Sequence, residues 1–235
     1  MRLYYFTPSQ FGLEAVRDRR LKAARVAALN DPFELQSVLS GPGTGNNFKG
    51  LKQLIDTDQA LLCMSASWRH PMMWAHYAGN HTGLCLGFDV DDDVFVPVRY
   101  VNERTPSAEF DPKDGESVQD AGLRLIDHLL RTKFDAWAYE REYRSYLNLE
   151  GRDPVSGLHF VSFEPAMKLK EVIVGLRSAV QPWQLAELLK DRPEVLSFRV
   201  RPANRTFEMV VNGRQRAWPG FPVSYPQHGR NTASQ

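Results

Sequence analysis

"WAYEREYR", residues 137–144, decides how the rest of the chain is to be read. On a helix, Glu140 and Arg144 would be an ordinary four-apart ion pair worth about 0.2–0.5 kcal/mol. On an extended strand, Glu140, Glu142 and Arg144 point one way while Tyr139, Arg141 and Tyr143 point the other. Farther on, Tyr143, Ser145, Leu147 and Leu149 alternate with Arg144, Tyr146 and Asn148. That alternation, with its aromatic content, predicts a strand from about Glu140. The two glutamates are then expected to share a face. Carboxylates that close repel, so at least one should have a raised pKa unless a cation or a hydroxyl donor compensates.

Outward from this stretch the punctuation is clear. "LRLIDHLL" has helical spacing and predicts a helix over 116–132, after a polar stretch at 102–115. "VFVPVRYV" reads as a strand, with Pro97 marking an edge or a bulge. "ALLCMSASWRHPMMWAHYAGNHTGLCLGFDV" parses as a strand (60–66), a helix (71–81), a glycine stop at Gly83 and a strand (84–90). At the start, "RLYYF" is a strand, and Thr7, Pro8 and Gln10 predict a capped helix through about Arg17. An extended "LKAARVAAL" leads to "NDPFE", where Asn30 turns the chain and Asp31 is placed to cap. "GPGTGN" (41–46) is a flexible connection without the Gly-Lys-Ser/Thr of a phosphate loop, and "NFKGLKQLIDT" predicts an amphipathic helix. The last third gives strands at "LHFVSF", "KEVIVG", "VLSFRV" and "TFEMVV", with a helix opened by "QPWQLAELL". No internal repeat is present. These elements predict one α+β domain over 1–211 and a loosely ordered Pro/Gly-rich tail over 212–235.

The totals set limits on function. Among 235 residues, 29 Lys and Arg balance 28 Asp and Glu, which argues against a generally basic nucleic-acid-coating protein. Cys63 and Cys85 sit in apolar runs and read as a reduced, buried pair. No apolar run approaches the roughly 18 residues of a membrane span, and the N-terminus lacks a signal-peptide core. The expectation is a cytoplasmic protein without membrane partners.

Other candidate chemistry is sparse. Ser65 and Ser67 lie on one side of a strand end, which as an isolated pattern reads as a polar strand terminus. On the following helix Met73, Tyr77 and Asn80 share one stripe, and Trp74, Ala78 and His81 the next, a pattern mostly of core packing. His76 and His81 do not have the four-residue spacing of paired zinc ligands, so no metal is expected. No Gly-x-Ser-x-Gly elbow is present.

In order, "ALNDPFE", "LCMSASWRHPMMWAHYAGNHTGLCLGFD" and "TKFDAWAYEREYR", followed by "EVIVG", resemble the bacterial domain of unknown function 2971 over about residues 2–176. More distantly, an N-terminal strand, a strand ending in Ser-x-Ser and a later Glu-x-Glu are similar to the ADP-ribosyltransferase superfamily. "LYYFT" resembles the "Leu-Tyr-His-x-Thr" opening of its DNA-targeting toxin branch. The resemblance implies a split, mostly antiparallel mixed sheet flanked by helices, and a toxin or phage-defence transferase using NAD. It implies Glu142 as catalytic glutamate with Glu140 upstream, and Ser65 and Ser67 as the serine motif. Tyr5 replaces the branch's histidine, leaving Arg25 or Arg2 for the phosphates and Trp74 or Tyr77 to stack on nicotinamide. The implied partners are an unidentified protein or nucleic-acid acceptor and an antitoxin or immunity protein. Three alternatives stay open: an NAD glycohydrolase, a non-catalytic ligand-sensing module of the same fold, and a structural ion network of Glu140 and Glu142 with Arg141 and Arg144.

Overall fold

The computed structural model describes residues 1–39, 59–148 and 152–222. The glycine-rich connection at 41–46 and the helix expected from "NFKGLKQLIDT" lie outside the described residues. In chain order the elements are β1 (Arg2–Thr7), α1 (Ser9–Asp18), β2 (Arg20–Lys22), β3 (Ala24–Arg25), β4 (Val38–Leu39) and β5 (Gln59–Ser65). Next come α2 (Pro71–Tyr77), β6 (Leu84–Val90), β7 (Val96–Pro97), β8 (Arg99–Val101) and β9 (Thr105–Pro106). The chain continues through α3 (Val118–Arg131), β10 (Thr132–Phe134), β11 (Glu142–Asn148), β12 (Phe160–Ser162), β13 (Met167–Val174), α4 (Pro182–Leu188), β14 (Leu196–Pro202) and β15 (Met209–Val211).

A mostly antiparallel mixed sheet, ordered β15-β14-β13-β6-β1-β5-β11-β7 with β3 on β5, organises this single α+β domain. Among the described residues its one parallel junction is β13 with β14. β6, "LCLGFDV", is buried at every residue except Asp89, which is half-buried. Such an uninterrupted apolar run is what a strand covered on both faces requires. Around it Leu3, Leu86, Phe88 and Val172 form one face of the core, and Trp74, Cys85, Ile173 and Phe198 the other.

The sheet opens between β1 and β5. β1 pairs with β6 along its whole length, from Arg2 against Asp89 to Thr7 against Leu84. β5 likewise pairs with β11 from Ser65 against Glu142 to Gln59 against Asn148. Between β1 and β5 the register joins Tyr4 to Ser65, and farther along β5 the short β3 takes over, placing Ala24 against Leu61. The two halves are hinged at Ser65, and a cleft lies where they part.

Three local expectations change. Thr7 does not cap α1, because it is held in β1 opposite Leu84; Pro8 takes the cap position, and Gln10 bonds Glu14 instead. The helix expected to reach 81 stops at Tyr77, and Gly79, Asn80 and His81 all take positive φ. This brings Gly83 so close to the Thr7 carbonyl that a Cβ there would lie 2.2 Å from it. The strand expected from Glu140 begins at Glu142. Asp135–Glu140 form a 3-10 turn that ends on Arg141 in the left-handed region, at φ 47°. In the segment composition assigns to a tail, Trp218 is 4% exposed, and the Pro219 carbonyl accepts from the Ser197 amide at 3.0 Å. Among the described residues no helix is long and apolar enough to cross a membrane.

Candidate functional site

The turn that displaces Glu140 from the strand also builds the site. The left-handed Arg141 is pinned because its carbonyl accepts the Ala66 amide at 2.9 Å. On either side, the Ser65 hydroxyl donates to the Glu140 carbonyl at 2.6 Å, and the Glu142 amide donates to the Tyr100 hydroxyl oxygen at 2.8 Å. With the backbone fixed at these points, both glutamates reach one cation. Lys133 Nζ lies 2.5 Å from Glu140 Oε2 and 3.1 Å from Glu142 Oε2. Lys133 comes from β10, which pairs in parallel with β8.

A second cation locks Glu142. Arg144 Nε donates to Glu142 Oε1 at 2.8 Å and Nη2 to Oε2 at 3.1 Å. The same guanidinium makes a bidentate pair with Glu34, at 2.5 and 3.1 Å, and donates to the Leu130 carbonyl at 2.8 Å. Glu140 Oε1 accepts from the Tyr77 hydroxyl, whose oxygen in turn accepts from the Asn30 amide at 2.6 Å. All five charged side chains are at most 7% exposed. Three carboxyl groups therefore face two cations in a place where charge is costly to bury unless paired.

The two neighbouring carboxyls are driven apart. Burial would raise Glu142, but the charges of Arg144 and Lys133 overcome it and hold the group at about 2. At Glu140 burial wins: Lys133 and Tyr77 pull its pKa down, yet desolvation and the nearby Glu142 charge leave it raised. Burial, and then the Glu140 charge, push the Tyr77 hydroxyl up. The Cys63 thiol is pushed up first by burial and then by Glu142, so it is no thiolate nucleophile.

These groups line a cavity of about 430 Å3 at the opening between β1 and β5. Of the residues singled out from the sequence, the cavity gathers Glu140, Glu142, Ser65, Tyr5 and Tyr77. Four others lie elsewhere, among them Arg2, which is paired with Asp89 and Glu171. Trp74 is fully buried, its indole N–H bonded to the Trp68 carbonyl at 2.7 Å and its ring edge-on to Phe6, so it offers no face to a ligand. The Ser67 hydroxyl accepts from the Arg69 amide. Arg25 sits in β3, its backbone paired with Ala60. Ser65 stands opposite Glu142 in the β5–β11 register, and its hydroxyl serves the Glu140 and Ser67 carbonyls rather than a carboxylate. Burial lifts the Tyr5 hydroxyl to about 12, so it lines the cavity as a neutral phenol.

Lys133 and Glu34 escape the sequence reading. Lys133 is separated from the glutamates by the end of β10 and a 3-10 turn, with no periodicity to tie them together. Asn30, expected to turn the chain, also positions Tyr77 through its amide. Asp31 accepts the Phe33 amide at 2.9 Å, at a turn rather than at a helix start. Among the described residues no cluster of His, Cys, Asp and Glu is arranged to hold a metal.

Residues 73–145, from within α2 to the middle of β11, match a family described as "Protein of unknown function (DUF2971)". That segment contributes Tyr77, Lys133, Glu140, Glu142 and Arg144 to the cavity. Neither the curated proteins nor the solved structures contain a match to the chain.

Proposed function

We propose that the protein cleaves the bond between nicotinamide and ribose in NAD and transfers ADP-ribose to a protein or nucleic-acid acceptor. One observation carries this reading: two adjacent carboxyl groups on a cavity wall have proton affinities pushed in opposite directions. Such a divergence assigns different tasks to chemically identical groups. Glu142, kept anionic, is a fixed negative charge. Glu140, with its raised affinity, exchanges a proton or hydrogen bond with a sugar hydroxyl.

Breaking the glycosidic bond sends its electron pair to the nicotinamide nitrogen, which leaves neutral, while the ribose gains oxocarbenium character. Carboxylates beneath that ring bind it more tightly as the charge grows, so they favour the transition state over the substrate. The acceptor then forms the new bond at the ribose carbon and releases its proton to Glu140. Tyr77 and Asn30 hold Glu140 in place, and Tyr5 lies on the wall where the cofactor would pass. A cavity of about 430 Å3 lies in the size range of small-molecule sites, about 300–1,000 Å3.

Incubating the purified protein with NAD and measuring free nicotinamide tests the reading. Release that is lost in Glu140→Gln and in Glu142→Gln supports it; intact NAD in the presence of candidate protein and nucleic-acid acceptors refutes it. Free ADP-ribose without a labelled macromolecule would instead identify an NAD glycohydrolase, with water as acceptor.

A second reading has its own observation. Both oxygens of Glu142 are fully engaged by Arg144 and Lys133, as in a structural ion network that supports a ligand-sensing cleft without chemistry. In that case NAD or a related ligand binds and is recovered unchanged.

A further inference from the structure

The geometry points to a second binding site, for a nucleobase, beside the acidic cavity and built on the other residues of β10. A separate cavity of about 260 Å3 lies between the turn after Asp31, the segment following β8, and β10; Lys133 lines both cavities. Its volume falls just under the range of about 300–1,000 Å3 for drug-sized ligands. It has room for one ring system with a sugar, not for a dinucleotide.

Three features fix the chemistry. Phe33 and Phe134 line this cavity and are 54% and 47% exposed, two large apolar rings with bare surface at one opening. The Arg104 guanidinium lies 5.1 Å from the Phe33 centroid, adding a planar cationic surface. Flat aromatic ligands stack on such surfaces regardless of their substituents. The third feature is polar: Ser37 and Thr132 also line the cavity, are 9% and 2% exposed, and their hydroxyls have no hydrogen-bond partner among the described residues. A buried hydroxyl without a partner is costly, and each can both donate and accept.

A hydrocarbon would leave both hydroxyls orphaned. An anion would be drawn to Arg104 but would meet Glu103 beside it, and would leave both aromatic rings unused. A neutral planar ring stacks on the aromatic surfaces, and an edge carrying both donors and acceptors meets the two hydroxyls once Ser37 and Thr132 rotate them into the cavity; that is the chemistry of a base. The base can arrive as a free nucleoside or within a single strand. This site does not depend on the NAD reading, since it requires neither Glu140 nor Glu142.

Saturation-transfer NMR with adenosine, guanosine, cytidine and uridine, and with a short mixed-sequence single-stranded oligonucleotide, tests the inference on the full chain. At least one nucleoside or the oligonucleotide should bind; an oligonucleotide signal without a nucleoside signal identifies the single strand as the source. Phe134→Ala, at an exposed ring, should weaken binding about tenfold, and the volume-conserving Thr132→Val about fivefold. Tyr77→Phe, in the acidic cavity, should leave it unchanged. No binding of any probe overturns the inference. So does binding that Tyr77→Phe weakens while Phe134→Ala and Thr132→Val leave it intact, because the base would then occupy the acidic cavity.

Discussion

Two carboxylate–arginine clusters, one partly exposed and one buried, sit on the same sheet and behave differently. On the fully paired half, Arg2 in β1 bridges Asp89 in β6 and Glu171 in β13, at 2.8 Å each. Glu171 lies over Gly87, where a Cβ would come within 3.0 Å of its carboxylate, so the glycine makes room for the pair. Across the opening, Arg144, Glu34, Glu142, Lys133 and Glu140 form the second cluster. The first stitches three adjacent strands together. The second lies where β5 has parted from β1, and it borders empty space. Like side chains are structural where neighbouring strands fill their surroundings, and become a candidate site where the sheet leaves a gap.

The largest difference should appear in stability. Arg144→Met takes the bidentate cation from Glu34 and leaves Glu142 with Lys133, both in a buried place, and is expected to cost about 3–5 kcal/mol in urea denaturation. Arg2→Met should cost less, about 1–3 kcal/mol, because its side chain is 30% exposed and water shares the load. Equal losses would erase the distinction between the two clusters.

Turnover should separate them in kind. Glu140→Gln and Glu142→Gln are expected to lower nicotinamide release by about 10²–10³-fold, while Glu171→Gln leaves it unchanged. A similar fall in all three would mean that the assay reports folding.

The pH profile of stability sharpens the contrast within the second cluster. Glu142 is lowered from 4.5 to about 2 in the folded protein, so its stabilisation is present above about 4.5 and is lost as pH falls towards 2. Urea midpoints of wild type and Glu142→Gln should therefore converge over that interval. Glu140 is raised, which reverses the sign: its contribution is present below 4.5 and is lost as pH rises through its folded-state value. Glu140→Gln should gain on the wild type over that rise.

The smallest expected effect belongs to Tyr5→Phe on the opposite wall. Removing one neutral hydroxyl should raise KM for NAD about fivefold and leave kcat in place. A loss of kcat instead would move Tyr5 into the reacting group.

Much of the fold is legible in residue patterns. The strand at 84–90 appears with its predicted bounds, because its apolar run and glycine stop are local signals. The helix over 118–131 falls within its predicted range, started by Ser117, which accepts the Asp120 amide. The errors occur where distant pairing overrides local preference, as when β6 claims Thr7 as a strand residue. The site was half legible. Glu140 and Glu142 stand out as neighbours in sequence, but the expected reason for their proximity, a shared strand face, is not the one observed. They meet because Arg141 turns left-handed and Lys133 draws both carboxylates inward.

By itself, the sequence determined the α+β class, the order of strands and helices, the balanced charge and the pair of glutamates. These follow from side-chain periodicity and turn chemistry, which act over a few residues. Only the tertiary structure decided that the sheet opens at Ser65, that Lys133 and Arg144 flank Glu142, and that Trp74 is core rather than ligand platform. Those outcomes depend on groups many residues apart sharing one desolvated space, where burial and charge set each proton affinity together.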